Sequence, residues 1–491
     1  MNGNNEVIKT LMQDFQATVL PAHLKQMVDR DLSLGHPFEP KPGNLVKVVV
    51  GMRRSGKTYR LFQEIRDLLD AGISADRICY FNFDDDRLRP FDPSTIDSVI
   101  ESFFELHPKS RSEGTYFFFD EIQEVPQWDI AARRIVDTEK ATVYVTGSSS
   151  RMLSTDVATE FRGRSISYEL LPFSFREYAR FHGIDAPTLS SDFNKEQASA
   201  LKHAFKHYLV QGGFPGIQLL DDNERVNVLQ SYAQFTVARD VVERHGFSNA
   251  AYAQNLARIA LASSGRDFSI SKMDKNGKSA GYTPGRAKIA EIIDAFEDAH
   301  LLHQVYEFSH SAQKVRVGGF KMYAEDPGLL CALAPATSDG LTRALKTTVY
   351  LEMRRRSSAR IGSIALLKLK SGKEINFIEG DEAFDMACEL IQVSLNMSSD
   401  ATRNREVSAL QEAMKCFSKD SATIVTLDEE GKIEVEEGVI HVAPAWKWLL
   451  RDTPSERFGN MSIAVENALD AADAQAATTS LRYSHDQVFG S

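Results

Sequence analysis

The chain has 491 residues, of which 43% are hydrophobic and 25% are charged, and this composition is typical of globular proteins rather than of disordered or fibrous ones. The length predicts about three domains. A net charge of −11 argues against coating of nucleic acid through overall charge, although a local basic face stays compatible with it.

The four cysteines are scattered and form no C-x-x-C pair, so the sequence suggests neither a zinc ribbon nor a disulfide framework. The N-terminus lacks a basic and then apolar signal segment, and no apolar run approaches the roughly 18 residues of a membrane span. We therefore expect a cytoplasmic protein without a membrane partner.

The predicted elements begin with a helical lead-in, interrupted near Pro21 and followed by a loop rich in proline and glycine at 36–43. From residue 45 onward, short apolar runs alternate with helical patterns. This alternation predicts an α/β fold in which helices cover both faces of a parallel sheet. The predicted strands are 45–50, 78–83, 115–119, 141–146 and 166–170, and the predicted helices are 56–70, 94–106, 127–138 and 151–159.

A phosphate-binding motif follows the first predicted strand. The apolar run ends at Gly51, and the sequence then reaches Gly56, Lys57 and Thr58, which completes G-x-x-x-x-G-K-T between a strand and a helix. Backbone N–H groups of such a loop cradle phosphates, Lys57 is placed for the β- and γ-phosphates, and the Thr58 hydroxyl for Mg²⁺. We predict ATP binding by Gly51, Arg53, Arg54, Ser55, Gly56, Lys57 and Thr58.

Two carboxylates end the third predicted strand. Asp120 is predicted to hold Mg²⁺ through water, and Glu121 to act as the general base that polarises the attacking water. The Glu directly after the metal-binding Asp, with one strand inserted between the two motif strands, marks the "additional strand" branch of these ATPases.

The fourth predicted strand runs into a serine-rich turn at 147–150. We predict that Ser148 contacts the γ-phosphate, with Thr146 and Ser149 as competing candidates. These serines would alternatively cap a helix that begins near Arg151.

Two arginines lie in the Phe-Arg-Gly-Arg segment at 161–164. Because a guanidinium is a planar donor suited to a transition-state phosphate, Arg162 or Arg164 is a candidate arginine finger for a neighbouring subunit. The alternative is a surface turn with ordinary charges. The finger would require a homo-oligomer.

Six motifs occur in a fixed order, and together they resemble the prokaryotic AAA-type ATPases that carry a C-terminal domain of unknown function. They are Gly51-Met-Arg-Arg-Ser-Gly-Lys-Thr, Thr146-Gly-Ser-Ser-Ser, Arg162-Gly-Arg, Glu169-Leu-Leu-Pro-Phe-Ser-Phe-Arg-Glu-Tyr, Gly212-Gly-Phe-Pro and Ala238-Arg-Asp. The resemblance implies that Gly213 and Pro215 belong to a lid motif that packs on the adenine, and it fits a ring-like assembly.

With this resemblance, the sequence divides into six predicted parts. They are a helical lead-in at 1–44, a P-loop ATPase core at 45–185, a helical lid at 186–248, a winged helix at 249–330, a nuclease-like α/β domain at 331–451 and a flexible tail at 452–491.

The predicted winged helix supplies candidate DNA contacts. Arg286 and Lys288 lie in the first turns of a recognition-type helix. A hairpin then carries a possible basic wing of His310, Lys314, Arg316 and Lys321. Acidic residues nearly balance the basic ones, so protein docking is the alternative use of this domain.

The last predicted domain resembles restriction-endonuclease-like folds. In that pattern Asn376 stands where a metal-binding Asp is needed, Gln392 fills the middle position, and Ser394 replaces the Lys. Since neutral side chains contribute no charge to a metal site, we predict that this domain does not cleave DNA. Glu352 and Glu374 are predicted to be helix or strand-edge charges, and Arg354–Arg356 a solvated helix face that phosphates could alternatively contact.

These predictions favour an oligomeric Mg-ATP hydrolysing ATPase that binds and remodels or translocates DNA, possibly branched DNA. One alternative is an ATP-dependent signalling or defence switch with a protein partner. The other is an ATP-dependent nuclease, which Asn376 and Ser394 disfavour.

Overall fold

The structure of the protein, a computed structural model, describes residues 2–153, 164–186, 193–279, 285–308, 320–334, 337, 339–357, 363–381 and 386–451. The helical lead-in consists of α1 (Asn2–Asp14), a π-helical segment (Phe15–Val19) and α2 (Leu20–Leu24). The predicted interruption near Pro21 is wrong. This proline lies in the first turn of α2, directly after the π-helical segment, so the helix changes type there and continues.

Five parallel strands form the central sheet in the order β2-β3-β4-β1-β5. This result confirms the predicted α/β fold class and the insertion of the fourth strand between the two motif strands. All residues of the first, third and fourth strands are buried, as expected for parallel strands covered on both faces. The strands are β1 (Val46–Val50), β2 (Ile78–Asn82), β3 (Thr115–Asp120), β4 (Ala141–Gly147) and β5 (Ser165–Glu169).

The helices around this sheet are α3 (Lys57–Asp70), α4 (Thr95–Leu106), α5 (Ser110–Glu113), α6 (Trp128–Thr138) and α7 (Phe175–Phe181). Three of them, α3, α4 and α6, lie close to their predicted positions, whereas α5 and α7 were not predicted. Of the helix predicted at 151–159, only a 3-10 turn at Ser150–Leu153 falls within the described residues.

A helical region follows the sheet, as predicted. It consists of α8 (Lys195–Gln211), α9 (Asp222–Thr236) and a π-helical segment (Val237–Glu243). A capping box at Asn194 starts α8, and the helix stops at Gly212, whose φ is +83°. The helical region is therefore broken at Gly212, within the Gly212-Gly-Phe-Pro motif.

The next region carries a three-stranded antiparallel sheet in the order β6-β8-β7. The sequence analysis did not predict its short first strand or the helix after it. The elements are α10 (Ala250–Ala262), β6 (Asp267–Phe268), α11 (Ile270–Ser279), α12 (Gly285–Asp298), β7 (Leu302–Tyr306), β8 (Phe320–Ala324) and α13 (Pro327–Leu333).

The C-terminal region is a second α/β unit, with a six-stranded mixed sheet in the order β13-β14-β12-β11-β10-β9. Its parallel pairs are β11–β12 and β12–β14. The elements are α14 (Gly340–Ser357), β9 (Ser363–Lys368), β10 (Glu374–Asp381), β11 (Met386–Val393), α15 (Asp400–Cys416), β12 (Ser421–Thr426), β13 (Gly431–Val435), β14 (Gly438–Pro444) and α16 (Ala445–Leu449). The tail predicted at 452–491 lies outside the described residues.

The hydrophobic core is divided unevenly. Separate clusters cover the two faces of the parallel sheet. A single larger cluster runs from Phe214 through Phe296 and Tyr350 to Trp448, so the helical region, the small sheet and parts of the C-terminal unit pack as one body. Within the described residues, no helix has the length and apolar character to cross a membrane.

Candidate functional site

The loop at 51–58 joins the carboxyl end of β1 to α3 and provides the predicted phosphate cradle. Gly56 has φ +104°, and a Cβ there would lie 2.9 Å from Nη1 of Arg30, so glycine is required on both counts. Lys57 Nζ is buried and donates to the carbonyl oxygens of Gly51 (3.1 Å) and Met52 (3.3 Å). Among the described residues, Ser55 Oγ is buried without a hydrogen-bond partner. A buried cation and an unsatisfied hydroxyl on one loop fit a phosphate ligand.

Three hydroxyls converge on Asp120 at the carboxyl end of β3. Thr58 Oγ1 donates to Oδ2 at 2.6 Å, Tyr80 donates to the same oxygen at 2.9 Å, and Thr146 donates to Oδ1. Burial, together with the nearby Glu121 charge, raises the pKa of Asp120. Since hydroxyl and carboxylate oxygens are the ligands that Mg²⁺ prefers, Thr58 and Asp120 fit the predicted metal position.

Glu121 follows Asp120 and has a left-handed backbone, with φ +52°, which is uncommon for a residue other than glycine and often marks a functional position. Its carboxylate lies 3.4 Å from Lys57 Nζ and accepts a 2.6 Å hydrogen bond from Gln123. Burial acts to raise the pKa of Glu121, but the charges of Lys57 and Arg53 outweigh it and hold the pKa below 4.5. An ionised carboxylate therefore faces the phosphate loop.

Asp240, in the π-helical segment, joins the helical region to this site. It accepts a 2.8 Å hydrogen bond from Arg53 of the phosphate loop and one of 2.7 Å from Arg244. Ser148 Oγ at the end of β4 lies 3.3 Å from Asp240 Oδ1 and accepts from Arg244 at 3.2 Å. The predicted γ-phosphate contact thus belongs to a network that spans two parts of the chain.

The carboxyl end of α12 reaches the same turn. Asp298 accepts hydrogen bonds from Ser149 (2.8 Å) and Ser150 (3.3 Å). His245 Nε2 lies 3.1 Å from the other oxygen of Asp298. The turn after β4 is consequently held from both the helical region and α12.

The predicted lid motif lies against the phosphate loop. Pro215 Cγ is 3.7 Å from where a Cβ on Gly56 would stand, and a Cβ on Gly213 would lie 2.3 Å from the Phe173 carbonyl oxygen. The guanidinium of Arg54 lies 4.8 Å from the centre of the Tyr232 ring in α9. The side chains of the predicted nucleotide-binding residues Arg53 and Arg54 thus contact the helical region.

Sequence reasoning missed Arg30, which is buried beneath the phosphate loop. Its guanidinium donates to the carbonyl oxygens of Ser55 and Leu171, both at 2.7 Å, and to the buried carboxylate of Glu177 at 2.9 Å. Burial acts to raise the pKa of Glu177, but Arg30 outweighs it and lowers that pKa. No local motif marks a pair separated by 147 positions.

Arg164, the arginine-finger candidate that the structure describes, lies away from the site of its own chain. Arg164 precedes β5 at the amino ends of the strands, where it is half-exposed and paired with Asp137. Arg162 lies outside the described residues.

The candidate DNA contacts have mixed outcomes. Arg286 is exposed on α12, and Lys288 pairs with Glu291 at 2.8 Å. Lys314 and Arg316, together with His310, lie outside the described residues. The prediction that Lys321 contributes to a basic wing is wrong, because its side chain is buried and bonds to Glu374.

In the C-terminal sheet, Asn376, Gln392 and Ser394 line one cavity. Asn376 Oδ1 accepts from the Val393 N–H at 2.8 Å, and Gln392 Oε1 accepts from the Asn376 N–H at 2.9 Å. The two amides therefore bond β10 to β11. Glu352 lies on α14 and forms an ion pair with Arg356 of the same helix at 3.0 Å.

The prediction that Arg354–Arg356 form a solvated face is wrong. Arg354 makes two hydrogen bonds to Glu169 (2.6 and 3.0 Å), and Arg355 donates to the Pro172 carbonyl oxygen at 2.9 Å. Arg356 donates to the Trp448 carbonyl oxygen at 2.8 Å. The sequence could not reveal this, because α14 packs between two domains and its charges find their partners there.

Comparison with known proteins supports the ATPase assignment. A family model described as an AAA domain matches residues 43–179, and one described as a domain of unknown function, DUF8612, matches residues 202–340. The chain is thus an ATPase with an AAA-type P-loop domain. Among solved structures, the Walker-type ATPase PABY2304 of Pyrococcus abyssi is 13% identical, with a TM-score of 0.39 and coverage of 59% of this chain and 90% of that chain.

Two relatives match most of the sequence. An uncharacterized protein of Haemophilus influenzae is 25% identical over 355 residues, which cover 72% of this chain and 84% of that protein. The uncharacterized protein MJ1544 of Methanocaldococcus jannaschii is 32% identical over 414 residues, which cover 83% of this chain and 88% of that protein. The chain therefore belongs to the family that includes MJ1544.

Proposed function

We propose that the protein hydrolyses Mg-ATP and, as an oligomer, couples this reaction to the binding and remodelling of DNA. The observation that carries the catalytic part is the largely buried, ionised Glu121, whose carboxylate lies 3.4 Å from Lys57. A base beside a phosphate-binding lysine is the arrangement that water-mediated phosphoryl transfer needs.

In this proposal the N–H groups of the loop and Lys57 bind the β- and γ-phosphates. Thr58 and Asp120 hold Mg²⁺, which supplies charge that neutralises the phosphates. Glu121 accepts a proton from water as the water oxygen bonds to the γ-phosphorus, while the bond to the β-phosphate oxygen breaks and ADP leaves. Ser148 contacts the γ-phosphate, and Gly213 and Pro215 contact the adenine.

The DNA part of the proposal rests on the two C-terminal regions. We assign residues 249–330 to a winged helix, supported by the helix order and the antiparallel sheet, with exposed Arg286 on α12 as a contact. We assign residues 331–451 to a nuclease-like domain that holds DNA without cutting it, because Asn376, Gln392 and Ser394 are neutral.

The oligomeric part rests on the arginines before β5. Arg164 lies at the sheet edge opposite the phosphate loop and is half-exposed, so in a ring-like assembly it is accessible to the next subunit's nucleotide. We propose that Arg162 or Arg164 acts there as the arginine finger. Replacing each by Ala should lower turnover at saturating ATP without weakening ATP binding to the monomer.

ATPase rates with and without duplex, single-stranded and four-way-junction DNA test this function. We expect stimulation by at least one of the three DNAs and a gel shift at low salt. Hydrolysis without stimulation or a shift by any of them would reject the DNA part and leave the ATPase assignment intact.

A second candidate function is a nucleotide-controlled switch that acts on a protein partner. Its support is the exposed face of α12, where Glu291 and Asp294 balance Arg286 and Lys288, while Asp298 of the same helix bonds to the turn at Ser149. This function predicts slow turnover, ADP retained through purification, and an ATP-dependent change in assembly mass. Fast DNA-stimulated turnover would reject it.

A further inference from the structure

A polar cavity of about 580 Å³ lies in the C-terminal unit, between the first turns of α14 and α15 and the strands β10 and β11. This volume lies in the range of small-ligand sites. Its cationic lining residues are Lys346, Lys373 and Arg405, and Thr342 and Thr402 add hydroxyls. We propose that this cavity is a metal-independent phosphate-binding site in which Lys346 is the principal cation.

Among the described charged residues that line the cavity, one cation is left without a carboxylate partner. Glu374 bonds to Lys321, Glu406 pairs with Arg405 at 2.5 Å, and Lys373 lies 3.6 Å from Glu412. Glu406 also accepts from the Gln392 amide. Each carboxylate that lines the cavity therefore has its own partner.

Lys346 is different. Across the described parts of the chain, no hydrogen bond or ion pair is found for its ammonium group. Burial, with Lys321 adding to its effect, lowers the pKa of Lys346. An unpaired cation in a cavity is costly unless an anion joins it, so the site favours a negatively charged ligand.

The same walls are poorly suited to a divalent cation. Asn376 and Gln392 are neutral, and the side-chain oxygen of each already accepts a hydrogen bond from a backbone N–H group. Ser394 donates to the Asn396 carbonyl oxygen at 2.8 Å. Ammonium, guanidinium and hydroxyl donors instead match the oxygens of a phosphate.

The shared ligand chemistry is a phosphate group, either from the DNA backbone, which rests on the proposed function, or from a free phosphorylated compound. The first experiment uses full-length Lys57→Ala protein in EDTA, so that the phosphate loop does not compete, and titrates inorganic pyrophosphate by calorimetry. We expect Lys346→Met to weaken binding at least tenfold and Lys346→Arg to retain it. Lys415→Met, an exposed change on the far end of α15, should bind like its parent.

Folding is checked separately. Without ligand, Lys346→Met should melt at a higher temperature than its parent because an unpaired charge is removed. Equal pyrophosphate affinity in parent and Lys346→Met would overturn the proposal, and so would binding that requires Mg²⁺ or Mn²⁺.

The second experiment measures the affinity for duplex DNA at several salt concentrations. Loss of one phosphate contact in Lys346→Met should reduce the slope of log K against log salt by about one. A pyrophosphate effect without a change in this slope identifies a free phosphorylated compound as the ligand and still supports the site. If the unmodified protein does not bind duplex at all, the DNA part of the proposed function fails while the pyrophosphate result stands.

Discussion

The ATP site lies at the carboxyl end of β1, and the C-terminal cavity lies at the carboxyl end of β11. Both strands have a parallel neighbour, yet the polar groups at the two sites differ in charge and in function. In the ATP site, Lys57 and Glu121 are charged and face each other at the phosphate loop. In the C-terminal cavity, Asn376 and Gln392 are neutral and bond two strands together. Position in a sheet therefore makes a site possible, whereas the charges of its side chains determine its chemistry.

The two sites are also physically connected. Glu169 ends β5 beside Val50, the residue before the phosphate loop, and Arg354 of α14 binds it with two hydrogen bonds. Burial acts to raise the pKa of Glu169, but Arg354, followed by His300, lowers it well below 4.5. This pair therefore links α14 to the strand that flanks the ATP site.

The largest effect expected from the comparison is loss of hydrolysis in Glu121→Gln. Removing the base should lower kcat about 100- to 10,000-fold while ATP binding persists, because Lys57 and the loop remain. Phosphate release and nucleotide binding, measured on the same preparation, check this.

Glu124→Gln is the matched control, since Glu124 also pairs with Arg53 (3.4 Å) but lies three residues further along the chain. It should hydrolyse ATP within a few-fold of the unmodified protein. If Glu121→Gln turns over at the unmodified rate, the assignment of the base is wrong.

The connection between the sites is the next target. Arg354→Met removes both arginine hydrogen bonds from the largely buried Glu169 and leaves His300 beside it (3.2 Å), and we expect a loss of about 3 kcal/mol in the free energy of unfolding, near the low end for broken buried pairs. Adding Glu169→Gln to Arg354→Met should recover most of the lost free energy of unfolding. Chemical denaturation of the two single variants and the double variant gives the coupling energy.

This loss has a defined pH dependence. Because the folded pKa of Glu169 lies below its ordinary value of 4.5, its contribution is fully present above pH 4.5 and disappears as the pH falls below that value. A difference between the unmodified protein and Arg354→Met that grows toward acid pH would contradict the assigned pair.

The smallest effect concerns the cavity itself. Asn376→Asp keeps an acceptor for the Val393 N–H but adds a negative charge to the cavity that holds Lys346. At an effective dielectric between those of protein and water, this should weaken pyrophosphate binding by about 1 kcal/mol, roughly fivefold. The exposed Asn223→Asp should leave it unchanged, and unchanged or tighter pyrophosphate binding in Asn376→Asp would contradict an anion site in this cavity.

Much of the ATP site was predictable because its signals are local. The strands of a parallel sheet are continuous apolar runs, and β1, β3 and β4 each ended within one residue of prediction. The phosphate loop and the Asp120–Glu121 pair lie directly at strand ends. Their spacing alone therefore identified them.

The contacts between elements were not predictable. Arg30 pairs with Glu177 across 147 positions, and Asp298 bonds to Ser149 across 149, without any repeated spacing that would mark them. The arginines of α14 appeared solvated because charge normally favours water. The packing of α14 against the ATPase core shows instead that Arg354 pairs with Glu169.

The central claim is that the loop at 51–58 binds Mg-ATP and that Glu121 directs its hydrolysis. The most direct test is phosphate release from ATP by the unmodified protein and by Lys57→Ala, with and without Mg²⁺ and DNA. We expect the unmodified protein to release phosphate only with Mg²⁺, and Lys57→Ala to release none. Equal release by both proteins, or none by the unmodified protein under any of these conditions, would contradict it.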